Sequence, residues 1–343
     1  MPLKNGSSPA TLHDVAKLAG VSYQTVSRVV NKMSKVSPQT LEKVNQAIAE
    51  LNYQPNRAAR SLVTGKSNAI HVLAFDIFNL RAVPFMEIVA YEKGFQFRLT
   101  ALHQAYSLPE MRQKLSEIVA SQVDGIVLLM PWSNVTYKEI FTLSSGIPLV
   151  IVGSNMGPDT NSVLIDQELG TRLLMQHLID LGHSRFAEIT GFTDRYDDAR
   201  IRHSTYQEVL RSNNIAHGPS EPGNFTMRGG FNAMSQLLAK DRSFTALVCG
   251  NDETALGAIQ AAHNAGLKIP QDLSIVGFDD MDFAAFSTPP LTTVQQDYHA
   301  LGTQSIQHLV SLIQDPSAAA HHRVLYPKLV VRQSTSQPPS QKK

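Results

Sequence analysis

From Ala69 onward, short apolar runs alternate with helical stretches, and this alternation restricts the fold more than any other feature of the chain. Parallel strands need a long crossover, usually a helix, so the alternation predicts βαβ units in parallel sheets. The first series of predicted strands reads AIHVLAF, FQFRLTAL, DGIVLLM, IPLVIVG and SVLI, and the second reads RFAEIT, TALVCG and LSIVGF. The predicted helices between them include Pro109–Ser121, Gln167–Leu181, Asp198–Arg211 and Glu253–Ala265. Two serial blocks of this kind predict an α/β body of two doubly wound parallel-sheet lobes.

Composition and charge narrow the class of protein. The 343 residues, 43% of them hydrophobic, are enough for a large core. No apolar run reaches membrane-spanning length and the first residues do not read as a signal segment, so we expect a cytoplasmic protein without a membrane partner. The single cysteine, Cys249, excludes an internal disulfide framework, and its apolar neighbours predict a buried, unreactive thiol.

Positive charge is concentrated at the start of the chain. Residues 1–67 contain nine Lys and Arg against three Asp and Glu, although the whole chain has a net charge of only +1. A basic segment on a mildly acidic body is typical of a phosphate-binding module, although a solvated basic face is a common alternative.

The basic segment predicts three short helices. Thr11 and Asp14 form a capping box for the first helix, and Gly20 ends it. Ser22 caps a second helix, and Ser37 with Pro38 begins a third. Two short helices joined by a tight glycine turn, with a third packed against them, predict an α-helical helix-turn-helix head.

The exposed face of the second helix carries side chains suited to reading DNA bases, namely Tyr23, Gln24 and Arg28. Glutamine can bond adenine with two hydrogen bonds, and arginine can bond guanine in the same way. Short donors near the helix ends are suited to phosphate contacts: Ser22, Thr25, Ser27, Asn31, Ser37 and Thr40. The alternative is a three-helix packing unit with a solvated polar face.

A short helix from Arg57 to Leu62 is predicted after the head, capped by Asn56 and ended by Gly65. Two turns are too few for a helix to be stable alone in water, so we expect this hinge to order only when something holds it. On the pattern alone, Leu62 packs on the body.

Polar residues follow the predicted strands of the body at the edge where ligands of parallel sheets bind. Asp76, Asn251 and Asp279 each come after a strand, and Arg202 lies early in a helix. Carboxylates and amides that accept from hydroxyls, with an arginine donor and an aromatic face, make a site for a polyol. Each of these residues alone is more often a helix cap, and Asp252 is interpreted as one.

Several segments resemble the lac-repressor family of bacterial transcriptional regulators. In the head they are LHDVAKLAGVSYQTVSRVVN and VSPQTLEKVNQAIAELNYQPNRAARSL. In the body they are DLGHSRFAEITG, NDETALGAIQAA and LSIVGFDDMDFAAFSTPPLTTVQQD. The resemblance extends from Thr11 to about Arg332, and it implies a body like that of periplasmic sugar-binding proteins.

This resemblance implies roles for individual residues of the head and the hinge. The base readers are Tyr23, Gln24 and Arg28, and Leu62 is a wedge that two subunits insert into the minor groove of the operator. The implied phosphate contacts are Leu12, Ser22, Thr25, Ser27, Asn31, Ser37, Thr40, Tyr53 and Asn56. The partner is then a near-palindromic double-stranded DNA operator.

In the body, the resemblance implies a small-molecule effector site made by Asp76, Asp198, Arg202, Phe225, Asn251 and Asp279. The implied function is repression of a sugar-utilisation operon, with a small sugar as the inducer that releases the operator. A sugar acid or a nucleoside is the alternative effector, and a corepressor-type response is the alternative to induction. No cofactor, metal or catalytic residue is expected.

The chain departs from the family pattern in two places. The helix beginning at Pro84 is about one turn, ~3.6 residues, shorter than usual, and it helps to form the family's dimer interface. The C-terminal STSQPPSQKK has no leucine heptads. We therefore expect a homodimer.

Two other functions fit the sequence less well. An enzyme is disfavoured because the sequence has no glycine-rich phosphate loop, nucleophile elbow or HExxH motif. A periplasmic sugar-binding protein agrees with the body but not with the head. The predicted organisation is a disordered leader (1–10), the head (11–56), a hinge helix (57–67), the body (68–335) and a disordered tail (336–343). The first lobe takes about 68–165 and 297–324, and the second about 166–296 and 325–335.

Overall fold

The computed structural model describes residues 10–30, 36–54, 66–75, 78–102, 108–130, 136–154, 157 and 159–340. The chain divides into two compact units, Met1–Ser67 and Asn68–Lys343, which we call the head and the body. In the described residues, no helix is both long and apolar enough to cross a membrane.

The head contains the three predicted helices: α1 (Leu12–Ala19), α2 (Tyr23–Val30) and α3 (Pro38–Glu50). The capping box of α1 forms as predicted, because the Asp14 amide donates to Thr11 Oγ1 and the Thr11 amide donates to the Asp14 carboxylate. Gly20 ends α1 at a φ of 65°, a left-handed conformation that glycine adopts without a steric penalty. Small apolar side chains of the three helices make one core, with Val15, Val26 and Val44 fully buried.

The first lobe of the body is built on a six-stranded sheet in the order β11-β5-β4-β3-β1-β2, with every neighbouring pair parallel. Its strands are β1 (Ala69–Phe75), β2 (Gln96–Leu102), β3 (Gly125–Leu129), β4 (Leu149–Val152), β5 (Ser162–Ile165) and β11 (His322–Leu325). A 3₁₀ turn (Phe78–Ala82) follows β1. The helices of this lobe are α4 (Val83–Glu92), α5 (Leu108–Ala120), α6 (Tyr137–Leu143) and α11 (Tyr298–Gln314).

The second lobe is built on a four-stranded parallel sheet in the order β7-β6-β8-β9. Its strands are β6 (Phe186–Thr190), β7 (Ser220–Pro222), β8 (Ala246–Cys249) and β9 (Ser274–Val276). Its helices are α7 (Gln167–Asp180), α8 (Asp197–Ser212), α9 (Met227–Lys240) and α10 (Asp252–Asn264). A separate antiparallel pair joins β10 (Thr293–Gln295) to β12 (Lys328–Val330).

Each sheet has a buried core on both of its faces, as expected for a parallel sheet covered by helices. On β1, Ile70, Val72 and Ala74 face the core shared with α4 and α11, whereas Leu73 and Phe75 face the core shared with α5. In the second lobe, α9 and α10 cover one face and α7 and α8 cover the other. This arrangement confirms the predicted fold class.

The structure differs from the predictions at three points. Helix α9 was not predicted. Asp252 is not the cap of α10, because Asn251 caps it, with its side-chain oxygen accepting from the Thr254 amide. Ser336, predicted to lie in a disordered tail, is held by the second lobe, because its amide donates to Ser274 Oγ at 3.0 Å and its carbonyl bonds the His183 ring.

Candidate functional site

The exposed face of α2 presents the three predicted base readers. Tyr23 is 45% exposed and its ring lies 4.8 Å from that of His13, while Gln24 and Arg28 are exposed one helical turn apart. The opposite face of α2 is fixed in the core of the head by Val26 and Val29. The head therefore holds a rigid helix with an amide and a guanidinium on one side, which is the arrangement that major-groove reading requires.

Helices α2 and α3 begin in the same way, with a serine and a threonine three residues apart. The Thr25 amide donates to Ser22 Oγ at 3.2 Å, and the Thr40 amide donates to Ser37 Oγ at 3.3 Å. In each pair the two hydroxyl oxygens lie within 2.9 Å of each other. Each helix start thus places two hydroxyls beside the positive end of the helix dipole, a combination suited to a phosphate.

The remaining predicted contacts of the head and hinge fall into two groups. Leu12 and Ser27 are half-buried, and Tyr53 is 8% exposed within the core of the head. Asn31, Asn56 and the wedge residue Leu62 lie outside the described residues, as does Asp76 of the body.

In the body, Asp279 lies at the carboxyl end of β9, where the two lobes meet. Its backbone has a φ of 118°, a conformation that residues other than glycine rarely adopt. Its Oδ1 atom accepts from Gln296 Nε2 and lies 3.5 Å from the Tyr298 hydroxyl. Its Oδ2 atom accepts from Arg81 Nη1 at 3.2 Å.

Arg202 of α8 reaches the same carboxylate from within the second lobe, with Nη2 at 3.7 Å from Asp279 Oδ1. Its other nitrogens are also engaged, since Nε donates to Gln167 Oε1 at 2.9 Å and Nη1 donates to the Gly250 carbonyl. The guanidinium lies over the ring of Phe278, 3.8 Å from its centroid. The two predicted effector contacts are therefore together, and both are nearly buried.

An aromatic group lines the second lobe beside Arg202. The rings of Phe192, Tyr196 and Phe225 have centroids 5.6–6.3 Å apart, and the Arg202 guanidinium lies 5.9 Å from the Phe225 ring. Asn251 joins this group because its Nδ2 donates to the Phe225 carbonyl. The predicted aromatic wall thus consists of three rings, of which only Phe225 was predicted.

Asp198 is the half-buried carboxyl of this group, and it makes no hydrogen bond to any residue in the described part of the chain. Burial raises the pKa of Asp198 to about 6; Arg202 acts against this rise, and Asp197 and Asp279 add to it. An acceptor with unused lone pairs next to an arginine is suited to a ligand hydroxyl.

Asp252 holds the backbone next to the site in place. Its Oδ2 accepts from the Met281 amide at 2.7 Å, and its Oδ1 accepts from Thr293 Oγ1. The pKa of Asp252 is raised to about 7, mainly by burial and in addition by the negative charge of nearby Asp279. These bonds tie the start of α10 to the loop that carries Asp279, so the residue orients the site rather than capping a helix.

Sequence reasoning missed four polar residues of the cleft: Arg81, Gln167, Gln296 and Tyr298. Burial of Arg81 opposes its charged form, but Asp279 and Tyr298 outweigh this effect and the pKa of Arg81 is raised. Burial also raises the pKa of the Tyr298 hydroxyl. Among the described residues, no group of three or more His, Cys, Asp or Glu is arranged to hold a metal.

A helix-turn-helix head and a two-lobed body with a polar and aromatic cleft define the class of DNA-binding regulators that carry a small-molecule site. Residues 11–56 match the model for bacterial regulatory proteins of the lacI family, and residues 175–335 match a periplasmic binding protein-like domain. The chain belongs to the lacI family of bacterial regulatory proteins.

Two named relatives are similar to this chain in sequence over nearly its full length. The ribose operon repressor of Escherichia coli (strain K12) is 36% identical over 331 residues, covering 95% of this chain and 99% of that protein. The lactose operon repressor of the same strain is 34% identical over 338 residues, covering 97% and 92%. Both are repressors, which confirms the expected regulatory, non-enzymatic class.

The solved structure of the lac repressor dimer bound to operator and the anti-inducer ONPF is similar in fold, with a TM-score of 0.90 and 33% identity. The similarity covers 96% of this chain and all of that chain. The chain is therefore a DNA-binding repressor with a small-molecule-binding body.

Proposed function

We propose that this protein is a dimeric repressor of a sugar-utilisation operon, and that it leaves a near-palindromic operator when a small sugar binds between its lobes. The observation that carries the proposal is the cleft, where Arg202 and Asp279 pair beside the three aromatic rings. Vicinal hydroxyls bond carboxylate and guanidinium groups, and sugar rings pack on aromatic faces, so the residues fit a polyol. The printed names of two relatives, the ribose and lactose operon repressors, support the same class of effector.

On the DNA side, two copies of α2 are proposed to enter successive major grooves, with Tyr23, Gln24 and Arg28 on the base edges. The phosphate contacts proposed for Ser22, Thr25, Ser37 and Thr40 rest on the paired hydroxyls at the starts of α2 and α3. The hinge and its wedge Leu62 remain proposals carried by the sequence. DNA binding also supports a bacterial cytoplasmic location.

Dimerisation is supported by the surface of α4. Ile88 is 55% exposed and Tyr91 is 82% exposed on this helix, so two large apolar side chains one turn apart face outward. We propose that this pair is buried in the contact between two subunits, which would remove both side chains from water. A dimer places two heads on one operator, which accounts for the near-palindromic site.

The coupling between the two sites is proposed to run through the relative orientation of the lobes. A sugar that bonds groups on both lobes favours one orientation, and that orientation changes the spacing of the two heads. Effector and operator must then change each other's affinity by the same factor.

The test is operator binding measured by fluorescence anisotropy on a lac-like palindrome at fixed salt, followed by titration with D-ribose, a galactoside, gluconate and adenosine. We expect tight binding that one of the two sugars weakens. If only gluconate or adenosine weakens tight binding, the proposed repressor function stands, but the effector is a sugar acid or a nucleoside rather than a sugar. Binding no tighter than to scrambled DNA would contradict the proposed operator.

The base readers are tested by replacing Gln24 and Arg28 with alanine together. Each contact contributes about 1–3 kcal/mol of discrimination, so the ratio of operator to scrambled-DNA affinity should fall at least about tenfold. The matched control replaces Gln176 and Arg211, exposed residues of the body, and should leave the ratio unchanged. An unchanged ratio in the head variant would show that other residues read the bases.

A further inference from the structure

An ion pair joins the two lobes across the cleft. Arg81 belongs to the 3₁₀ turn of the first lobe, and Asp279 follows β9 of the second lobe. Arg81 Nη1 lies 3.2 Å from Asp279 Oδ2, and the two side chains are only 22% and 9% exposed. At this depth water screens the pair weakly, so the contact links the lobes more strongly than a surface ion pair would.

The turn that carries Arg81 is fixed to its own lobe. Leu80 packs on the core that α4 and α11 share, and Ala82 is fully buried. Helix α11 approaches this turn so closely that a Cβ on Gly302 would lie 2.3 Å from the Ala82 carbonyl oxygen. The Arg81 guanidinium also lies over the Tyr298 ring, 5.3 Å from its centroid. The cation is therefore presented by a rigid support rather than by a free loop.

The two oxygens of Asp279 are used differently. Oδ1 bonds Gln296 and Tyr298 and faces Arg202, whereas Arg81 is the partner of Oδ2 among the described residues. A carboxylate in a sugar site serves by accepting from ligand hydroxyls. In the chain as it stands, Arg81 occupies the oxygen that is otherwise most available for this purpose.

We propose that Arg81 is a latch that links the first lobe to the second through Asp279 Oδ2. Until the effector binds, Arg81 occupies the position in which an effector hydroxyl bonds this oxygen. The proposal rests on the proposed function of the cleft as the effector site. An effector enters by offering hydroxyl donors to Asp279 and oxygen acceptors to the displaced guanidinium. A polyol supplies both.

In the protein without effector, the Arg81 side chain therefore holds the two lobes close together. Without Arg81, Asp279 keeps its bonds to Gln296 and Tyr298, so the second lobe retains its local structure while the lobes lose this link. Replacement of Arg81 should therefore change the distance between lobes more than it changes the stability of either lobe.

The experiment measures the distance between the lobes by double electron–electron resonance on the full-length protein without DNA or effector. Nitroxide labels are attached to cysteines introduced at Lys138, exposed on α6, and at Arg211, exposed on α8. The native Cys249 is buried, and burial raises the pKa of its thiol, so it does not compete for the label. Labelled chains are diluted with unlabelled ones so that one labelled chain is present in each assembly.

We expect a narrow distance distribution for the parent chain and a several-fold larger long-distance population for Arg81→Met. Arg81→Lys keeps the charge and should restore the narrow distribution in part. The matched control is Arg332→Met, which breaks the pair between Arg332 and Asp280 at 2.6 Å, with side chains 19% and 9% exposed and both in the second lobe. This control should leave the distances unchanged.

Coincident distributions for Arg81→Met and the parent chain would overturn the latch. A change of the same size in Arg332→Met would overturn it as well, because the effect would then not depend on a link between lobes. Since no operator or effector is present, either result leaves the proposed function standing. If operator binding fails, the distances between the lobes still test the latch, because they are measured without DNA.

Discussion

Asp198 is a carboxyl whose surroundings favour its neutral form. Its pKa in the folded chain is about 6 because burial disfavours the charge, whereas the usual value is 3.8. The folded state therefore binds more protons than the unfolded state between these two pH values. By linkage, the contribution of Asp198 to stability falls as the pH rises through this window and stays low above it.

Replacing Asp198 with asparagine should remove the loss of folding stability that ionisation of this carboxyl causes as the pH rises. Because Asp198 has no hydrogen bond to a described residue, the change loses none of those contacts. We expect the variant to match the parent chain near pH 4 and to melt at a higher temperature at pH 7. Thermal unfolding across pH 4–8 measures the difference. The control Asp194→Asn, at a side chain 77% exposed, should follow the parent chain, and an equal gain at both pH values for Asp198→Asn would contradict the assignment.

Residue-scale prediction from sequence succeeded where a motif fixes the position and failed where the position depends on tertiary structure. Arg202 and Asp279 were predicted together because both follow recognisable segments, and they lie 3.7 Å apart. Arg81 was missed because only the packing of the 3₁₀ turn on α11 brings it to the cleft. Asp252 was misassigned because the residue before it, Asn251, has a side chain that caps equally well.

The start of α3 offers an element-scale test of phosphate contact. Ser37 caps this helix, and aspartate caps helices as well as serine does. Ser37→Asp should therefore keep the stability of the head. If a DNA phosphate lies beside this residue, the added negative charge should weaken operator binding by about 1–4 kcal/mol, the Coulomb energy of two charges about 4 Å apart.

Anisotropy and urea unfolding measure these two effects separately. Ser37→Ala serves as the comparison, because it loses the cap at a cost of about 1 kcal/mol without adding charge. Unweakened operator binding by Ser37→Asp would remove Ser37 from the phosphate contacts.

Helices α9 and α10 pack against each other at glycines. A Cβ on Gly257 would lie 1.9 Å from the Met227 carbonyl oxygen and 2.7 Å from the Phe231 amide. Backbone atoms cannot yield as a flexible side chain can, so Gly257→Ala should destabilise the body by about 1–3 kcal/mol or more through overpacking. Urea unfolding measures the loss. Gln260→Ala, exposed on the same helix, should change stability little, and a neutral Gly257→Ala would mean that the helices separate at low cost.

Element-scale prediction followed the strength of the local pattern. The eight predicted strands and the helices with clear apolar faces were found, because burial on both sides of a parallel sheet produces continuous apolar runs. Helix α9 was missed, since its sequence MRGGFNAMSQLLAK contains two glycines that usually indicate a loop. Strand β9 is only three residues long but was predicted because it lies in an apolar run, whereas the equally short β7, β10 and β12 include polar residues and give no such run.

At the scale of the whole molecule, the proposed dimer predicts a light-scattering mass of two chains at micromolar concentration. Replacing Ile88 and Tyr91 on α4 with glutamate places charges in the proposed contact and should shift the mass towards one chain. Phe141→Glu is the control, at a 43% exposed side chain on α6 of the same lobe. A mass near four chains for the parent would contradict the dimer, and an unchanged mass for the α4 variant would place the contact elsewhere.

The chain leaves the first lobe after β5, builds the second lobe through β10, returns for α11 and β11, and ends on β12 in the second lobe. The core of the first lobe includes Leu301, Ile306 and Leu309 of α11, and its sheet includes β11, so this lobe is not complete until the chain has been made as far as Leu325. During translation, the ribosome must therefore finish most of the second lobe before the first can close its core. Neither lobe can take its final structure before the segment from α11 to β12 has been synthesised, so a message that stops before this segment yields no intact lobe.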